Sequence, residues 1–200
     1  MLSSEEAKEL IILGRNAILS IFSGKEVHVS KKLKERFSFR RGVFTSILTY
    51  PEKELRGCIG IHYPVYPLWQ AVVYSSVSAA FKDPRFPPLR EREMDKVIWE
   101  ISVLTEPREI DKSLLPSDIQ IGQDGLIVER GSKRGLLLPQ VPVRYDWSVE
   151  EFLSLTCLKA GLDKDCWKRE DVKVYKFQSD IYEEAQPWGE VIRVDMLKCG

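Results

Sequence analysis

The sequence predicts an α+β fold with a mainly antiparallel sheet, in which a unit of hairpin, helix and strand occurs twice. Hairpin turns stand between short apolar runs at Pro51 to Glu54 and at Gly131 to Arg134, and tight hairpins pair their strands antiparallel. The order hairpin, helix, strand then repeats, with Arg56-Gly57 and Arg134-Gly135 at similar points in the two copies. Both true internal duplication and the ordinary reuse of this arrangement in α+β proteins fit that pattern.

Each element has a local reason. Ser3 and Glu6 form a capping box, and Leu10, Ile11, Gly14, Ala17, Ile18 and Ile21 share one stripe, so a helix is expected from Glu5 to Phe22, ending before Gly24. Val43 to Leu48 reads as a strand, Tyr50-Pro51-Glu52-Lys53 as a turn, and Leu55 to Ile61 as the returning strand. Pro64 and Pro67 open a second helix, which Asp83-Pro84 stops after Phe81; Val97 to Leu104 is the third strand. In the second copy, Gly125 to Glu129 and Gly135 to Leu138 form the hairpin. Ser148 and Glu151 make a capping box with Trp147 and Phe152 as its staple, so a helix runs from Val149 to about Ala160, where Gly161 caps it. Val172 to Phe177 closes the copy as a strand.

With 44% hydrophobic and 30% charged residues the composition is that of a globular chain. No apolar run approaches the roughly 20 residues needed to span a bilayer, so no membrane association is expected. Met1 to Glu6 lacks the basic start and apolar run of a secretory signal, from which a cytoplasmic location is expected. Thirty basic and thirty acidic residues leave no net charge, a balance that suits thermophile ion networks and disfavours nucleic acid as a partner for the whole surface. The basic segment Lys31 to Arg41 keeps a local patch open, although such a run is commonly a solvated face.

Four cysteines without a C-x-x-C pair make neither a zinc knuckle nor a thioredoxin motif. Free thiols are the default, with a Cys157 to Cys166 disulfide left open and Cys199 in the tail. No P-loop, dinucleotide fingerprint, nucleophile elbow or acidic metal loop occurs, so no cofactor and no metal is assigned. Oligomeric state is left open too.

The chemistry concentrates on Leu55-Arg56-Gly57-Cys58-Ile59-Gly60. Alternation puts Leu55, Gly57, Ile59 and Ile61 on one, core-like face and Arg56, Cys58, Gly60 and His62 on the other. Arg56 stands about 6.6 Å along the strand from Cys58, where its charge favours the thiolate, and Gly60 leaves room for a ligand to reach the backbone. His62, about 13 Å along the strand from Cys58, is too distant to be its base. Cys58 is thus the candidate catalytic residue; the competing reading is a buried cysteine packing as a small hydrophobe. Glu100 is the natural partner of Arg56, either orienting the guanidinium for a ligand or forming a structural cross-strand pair. Arg85, in the proline-stiffened loop Asp83 to Pro88, is either an anion contact or part of a structural corner. The candidate ligand-binding set is Arg56, Gly57, Gly60, Arg85 and Glu100.

The blocks Arg41 to Thr45, Leu55 to Gly60, Asp83 to Leu89, Ile101 to Leu104, Gly122 to Leu126, Leu138 to Val141 and Phe152 to Leu162 resemble the AMMECR1 family in order and spacing. The Leu55 to Gly60 block is the most specific of them. The resemblance implies a single domain over residues 1–200, with lobes near 1–110 and 111–200 and a cleft between them, and no settled activity. Family members are similar to domains fused to, or encoded near, MEMO-like and radical-SAM proteins, which implies partners in a substrate-modification pathway. Two functions compete. One is a cleft protein that binds a small or nucleotide-like anion through Arg56, with Cys58 poised for covalent or proton-transfer chemistry. The other is a noncatalytic adaptor that docks a partner protein or RNA.

Overall fold

A computed structural model describes residues 2–194. Its elements run α1 (Ser4–Phe22), α2 (Lys31–Arg36), β1 (Val43–Thr49), β2 (Leu55–Ile61), α3 (Leu68–Phe81), β3 (Val97–Leu104), β4 (Arg108–Glu109), β5 (Asp124–Arg130), β6 (Lys133–Leu137), α4 (Gln140–Arg144), α5 (Val149–Lys159), β7 (Lys173–Glu184) and β8 (Val191–Val194). Two units result, one of residues 2–104 with Asp180–Val194, the other Thr105–Ser179. Cys199 lies outside the described residues. No helix among them is long and apolar enough to cross a membrane.

In the first unit β1 is the middle strand, paired antiparallel with β2 on one side and β3 on the other. Alternation along β1 turns Val43, Thr45 and Ile47 inward, where α1 and α3 cover them, and leaves Ser46 on the outer face. Ser3 and Glu6 form the expected capping box, so α1 begins where the sequence says it should. Its buried side includes Leu10, Ile11, Ala17 and Ile18, but Ile21 is exposed and Arg15 is fully buried instead.

Arg15 is buried at no deficit of partners. Its guanidinium lies between the rings of Trp99 and Trp188, 4.4 and 4.3 Å from their centroids. Nε and Nη2 donate to the Glu184 carboxylate at 2.9 and 2.6 Å, and the carbonyls of Met94 and Val97 accept from Nη1 and Nη2 at 2.9 and 2.6 Å. Glu184 also accepts the Trp99 backbone N–H at 2.8 Å, so one carboxylate ties α1, β3 and the end of β7 together. That end pairs with β8 from Ile181↔Val194 to Glu184↔Val191.

The second unit repeats the order. β5 lies between β6 and β7, antiparallel to both, and α5 packs its Phe152, Leu153 and Cys157 against Leu126, Val128 and Val174. Ser148 and Glu151 form the second capping box, and Trp147 packs against the core to which Phe152 belongs. Cys157 is bonded to Cys166, which settles the pairing left open and leaves Cys58 as the free thiol among the described residues.

The likeness of the two copies reaches the packing. A Cβ on Gly57 would run into the Ala79 carbonyl oxygen, in the last turn of α3; one on Gly135 would run into Ala160 N and the Thr156 carbonyl, at the end of α5. Each glycine sits on the second hairpin strand and admits the end of the following helix.

Candidate functional site

Register places three polar side chains in one row across the outer face of the first unit. Cys58 on β2 is opposite Ser46 on β1, and Ser46 is opposite Glu100 on β3. The Ser46 hydroxyl donates to Cys58 Sγ at 3.5 Å and is hydrogen-bonded on its other side to the Glu100 carboxyl. In the second copy the matching positions hold Leu136, Ile127 and Tyr175, paired in the same way. The unit therefore forms there with no thiol or carboxyl, and with an apolar side chain where Ser46 stands.

Electrostatics at the row differ from the expectation for Cys58. Burial pushes its thiol pKa up, and the charges of Glu100 and Asp83 add to this, against the Ser46 hydrogen bond and the Arg85 charge. The Arg56 guanidinium, expected to favour the thiolate, is held instead by the Glu93 carboxylate. Burial also raises the Glu100 pKa, with Glu183 acting in the same sense and Ser46 and Lys53 opposing. Lys53 is drawn to Glu183, 2.5 Å from its carboxylate. The row thus holds a thiol and a carboxyl that both keep their protons to higher pH than usual.

The loop after α3 seals the edge of the sheet beside Cys58. An edge strand leaves backbone groups unpaired, and here Asp83 Oδ2 accepts the Cys58 N–H at 2.9 Å while Arg85 Nη2 donates to the Cys58 carbonyl at 3.3 Å. Arg85 also grips Asp83 through Nε and Nη2 at 2.9 and 2.7 Å. These Arg85 hydrogen bonds hold the buried Asp83 carboxyl far below the usual carboxylate range. Arg85 is thus a corner brace whose charge also reaches the thiol.

Arg56 pairs with Glu93, not with Glu100. Nε and Nη2 donate to the two Glu93 oxygens at 2.9 and 3.3 Å, and Glu93 also accepts the Arg90 N–H at 2.8 Å. Arg56 Nη1 is buried and has no protein acceptor. Glu93, Arg56, Arg90, Arg92, Lys96 and Pro87 line a pocket of about 420 Å³. The two glycines depart from their expected roles as ligand contacts. The space over Gly60 is filled by the Phe44 ring from the neighbouring strand, and Gly57 faces α3 on the inner side. Among the described residues no group of three His, Cys, Asp or Glu side chains could hold a metal ion.

The AMMECR1 family model matches residues 11–182 of this chain. The chain belongs to the AMMECR1 family. It is 57% identical over 193 residues to a protein of Aquifex aeolicus, covering 96% of this chain and 99% of that one. With protein MJ0810 of Methanocaldococcus jannaschii it shares 48% identity over 201 residues, 98% and 99% of the two chains. The crystal structure of PH0010 from Pyrococcus horikoshii superposes with a TM-score of 0.84 at 44% identity, covering 97% of this chain and 98% of that one.

Within this AMMECR1 fold, sequence reasoning missed Ser46, Asp83 and Glu93. Alternation alone would put Ser46 on a face, but its partner depends on a register shift between Ile47 and Leu48. Counting back from Leu48↔Leu55 without that shift would set Ser46 against Gly57; the bulge moves it to Cys58.

The raised Glu100 pKa has a measurable consequence. A carboxyl whose folded pKa exceeds its unfolded one contributes stability that is complete below the unfolded value and lost as pH rises through the folded value. Glu100→Gln should therefore gain stability relative to wild type as pH rises from about 4, the ordinary glutamate range, toward about 8. Urea unfolding across that window measures it, and an offset between the two proteins that stays constant with pH would contradict the shift.

Proposed function

We propose that the outer face of β2 is a small-anion-binding site with thiol chemistry, in which Cys58 is the reactive group, Ser46 and Glu100 move its proton, and Arg56 contributes charge for the ligand. The observation that carries this is the in-register row Cys58, Ser46, Glu100 in one copy of a unit whose other copy has Leu136, Ile127 and Tyr175. With Glu100 ionised, the thiol donates to the Ser46 oxygen while Ser46 donates to the carboxylate. Shifting both protons one place leaves a thiolate, a hydroxyl and a carboxylic acid, with no net change in charge. Burial raises the carboxyl pKa and so makes Glu100 a stronger base, although it raises the thiol pKa as well; the Arg85 charge stabilises the thiolate once formed.

The pH–rate profile of Cys58 alkylation, read by peptide mass mapping, tests this reading. Wild type should show two limbs, one following Glu100 ionisation and one at higher pH following the thiol itself. Glu100→Gln and Ser46→Ala should keep only the high-pH limb and react more slowly at neutral pH by about 100-fold, a typical general-base contribution. If all three proteins share one limb, the row is structural.

One observation favours the adaptor reading. Tyr66 and Tyr74 are stacked and exposed, beside exposed Val65, with Arg40 bonded to the Val65 carbonyl and Lys82 over the Tyr74 ring. Exposed aromatic and basic groups are a common make-up of docking surfaces for proteins and single-stranded RNA. Capture of a partner that survives Cys58→Ala and fails with Tyr66→Ala/Tyr74→Ala would decide for it.

A further inference from the structure

We infer that the pocket beside Arg56 binds a small phosphorylated ligand carrying at least two negative charges, most of its recognition coming from Arg56, Arg90, Arg92 and Lys96. This names a ligand class for the site proposed above and rests on the reading that the outer face of β2 is the working surface. Basic and acidic residues are equal in number over the whole chain, yet here four cations meet a single carboxylate, Glu93. Among the described residues the side chains of Arg92 and Lys96 form no ion pair. The local excess of positive charge is therefore not neutralised by the protein.

Arg56 is the fixed point of the pocket. Its side chain is only 13% exposed, and Glu93 holds two of its nitrogens in a fork, so its position is set before any ligand arrives. The third nitrogen, Nη1, is buried without an acceptor. A buried donor left unpaired is destabilising, a cost that native structures rarely carry without reason. Glu93 repels any anion that enters, so one negative charge would gain little, whereas a ligand that engages three or four cations at once overcomes it.

The wall chemistry narrows the class. A volume of about 420 Å³ lies within the range of small-molecule sites. None of the lining residues is aromatic, so the pocket offers no ring on which a base could stack. Guanidinium groups match both carboxylate and phosphate oxygens in paired hydrogen bonds, but a phosphate or pyrophosphate carries two or more charges in one compact group and so meets several of these cations at once. A phosphate ester or pyrophosphate group satisfies all of these conditions.

Isothermal titration of the full chain with pyrophosphate, inorganic phosphate and acetate tests it. Pyrophosphate should saturate a single site, bind more tightly than phosphate and weaken with added salt, while acetate gives no signal. Arg92→Gln/Lys96→Gln removes two charges from positions without ion pairs, and Arg56→Lys keeps a charge but loses the fork; each should weaken pyrophosphate binding by at least about tenfold. If pyrophosphate fails to saturate by about 10 mM, where affinity would be under about 3 kcal/mol, or binds Arg92→Gln/Lys96→Gln as well as wild type, the proposal falls and any signal reflects an adventitious ion only. Pyrophosphate binding together with a single-limbed alkylation profile would keep the phosphate site and remove the thiol chemistry; the reverse pair of results would do the opposite.

Discussion

Glu184→Ala is expected to destabilise the protein by about 3–5 kcal/mol, the cost of leaving a buried charge without its partner. Arg15 and Glu184 are both almost wholly inaccessible, and the guanidinium sits between two indole rings where water cannot replace the carboxylate. The same substitution also strips the Trp99 N–H of its acceptor, in the middle of the first core. Urea unfolding of wild type and variant measures the loss. The double variant Arg15→Met/Glu184→Leu should recover the part owed to the unpaired charge, while the Trp99 N–H still lacks its acceptor. A cost below about 1 kcal/mol for Glu184→Ala, the size of a surface pair, would show that Arg15 finds other partners.

Gly57→Ala should cost about 3 kcal/mol, the upper part of the range for overpacking. The atom in the way is a backbone carbonyl oxygen, that of Ala79, and backbone cannot swing aside as a side chain can. Relief requires α3 to move off the sheet or β2 to move outward. Either shift changes the setting of Cys58, whose N–H and carbonyl are held by Asp83 and Arg85 just beyond the end of α3. Gly57→Ala should therefore also alter the Cys58 alkylation profile, whereas Gly135→Ala should destabilise to a similar degree and leave that profile alone. If Gly57→Ala unfolds at the wild-type urea midpoint, the packing of α3 on β2 is loose and the glycine has another role.

The paired behaviour of these glycines shows how far a sequence can be read. Arg56-Gly57 and Arg134-Gly135 stood out at matching points, and capping boxes at Ser3 and Ser148 marked helix starts that the structure keeps. Gly57 and Gly60, which the motif offers as ligand contacts, have packing neighbours instead: one accommodates a helix end and the other a phenyl ring. β7 extends to Glu184, past the expected end at Phe177, because Gln178, Ser179 and Asp180 interrupt the apolar alternation that strand recognition uses. β8 went unseen for a related reason, as four residues carry too little pattern.

Local interactions are written in the order of residues, so capping, turn formation and alternation were legible: α1, both hairpins, α3, β3 and α5, the α+β class, and the outward face shared by Arg56 and Cys58. Pairings between distant residues are not local. A bulge between Ile47 and Leu48 chose Ser46 as the neighbour of Cys58, and the fold of the segment after β2 sent Arg56 to Glu93 instead of Glu100. The burial that raises the Cys58 and Glu100 pKa values comes from the packing of several segments at once. Charge type and spacing along one strand set which groups face outward together; only the tertiary structure decided their partners, because a proton's affinity depends on everything within a few ångströms and not on the two residues beside it in the chain.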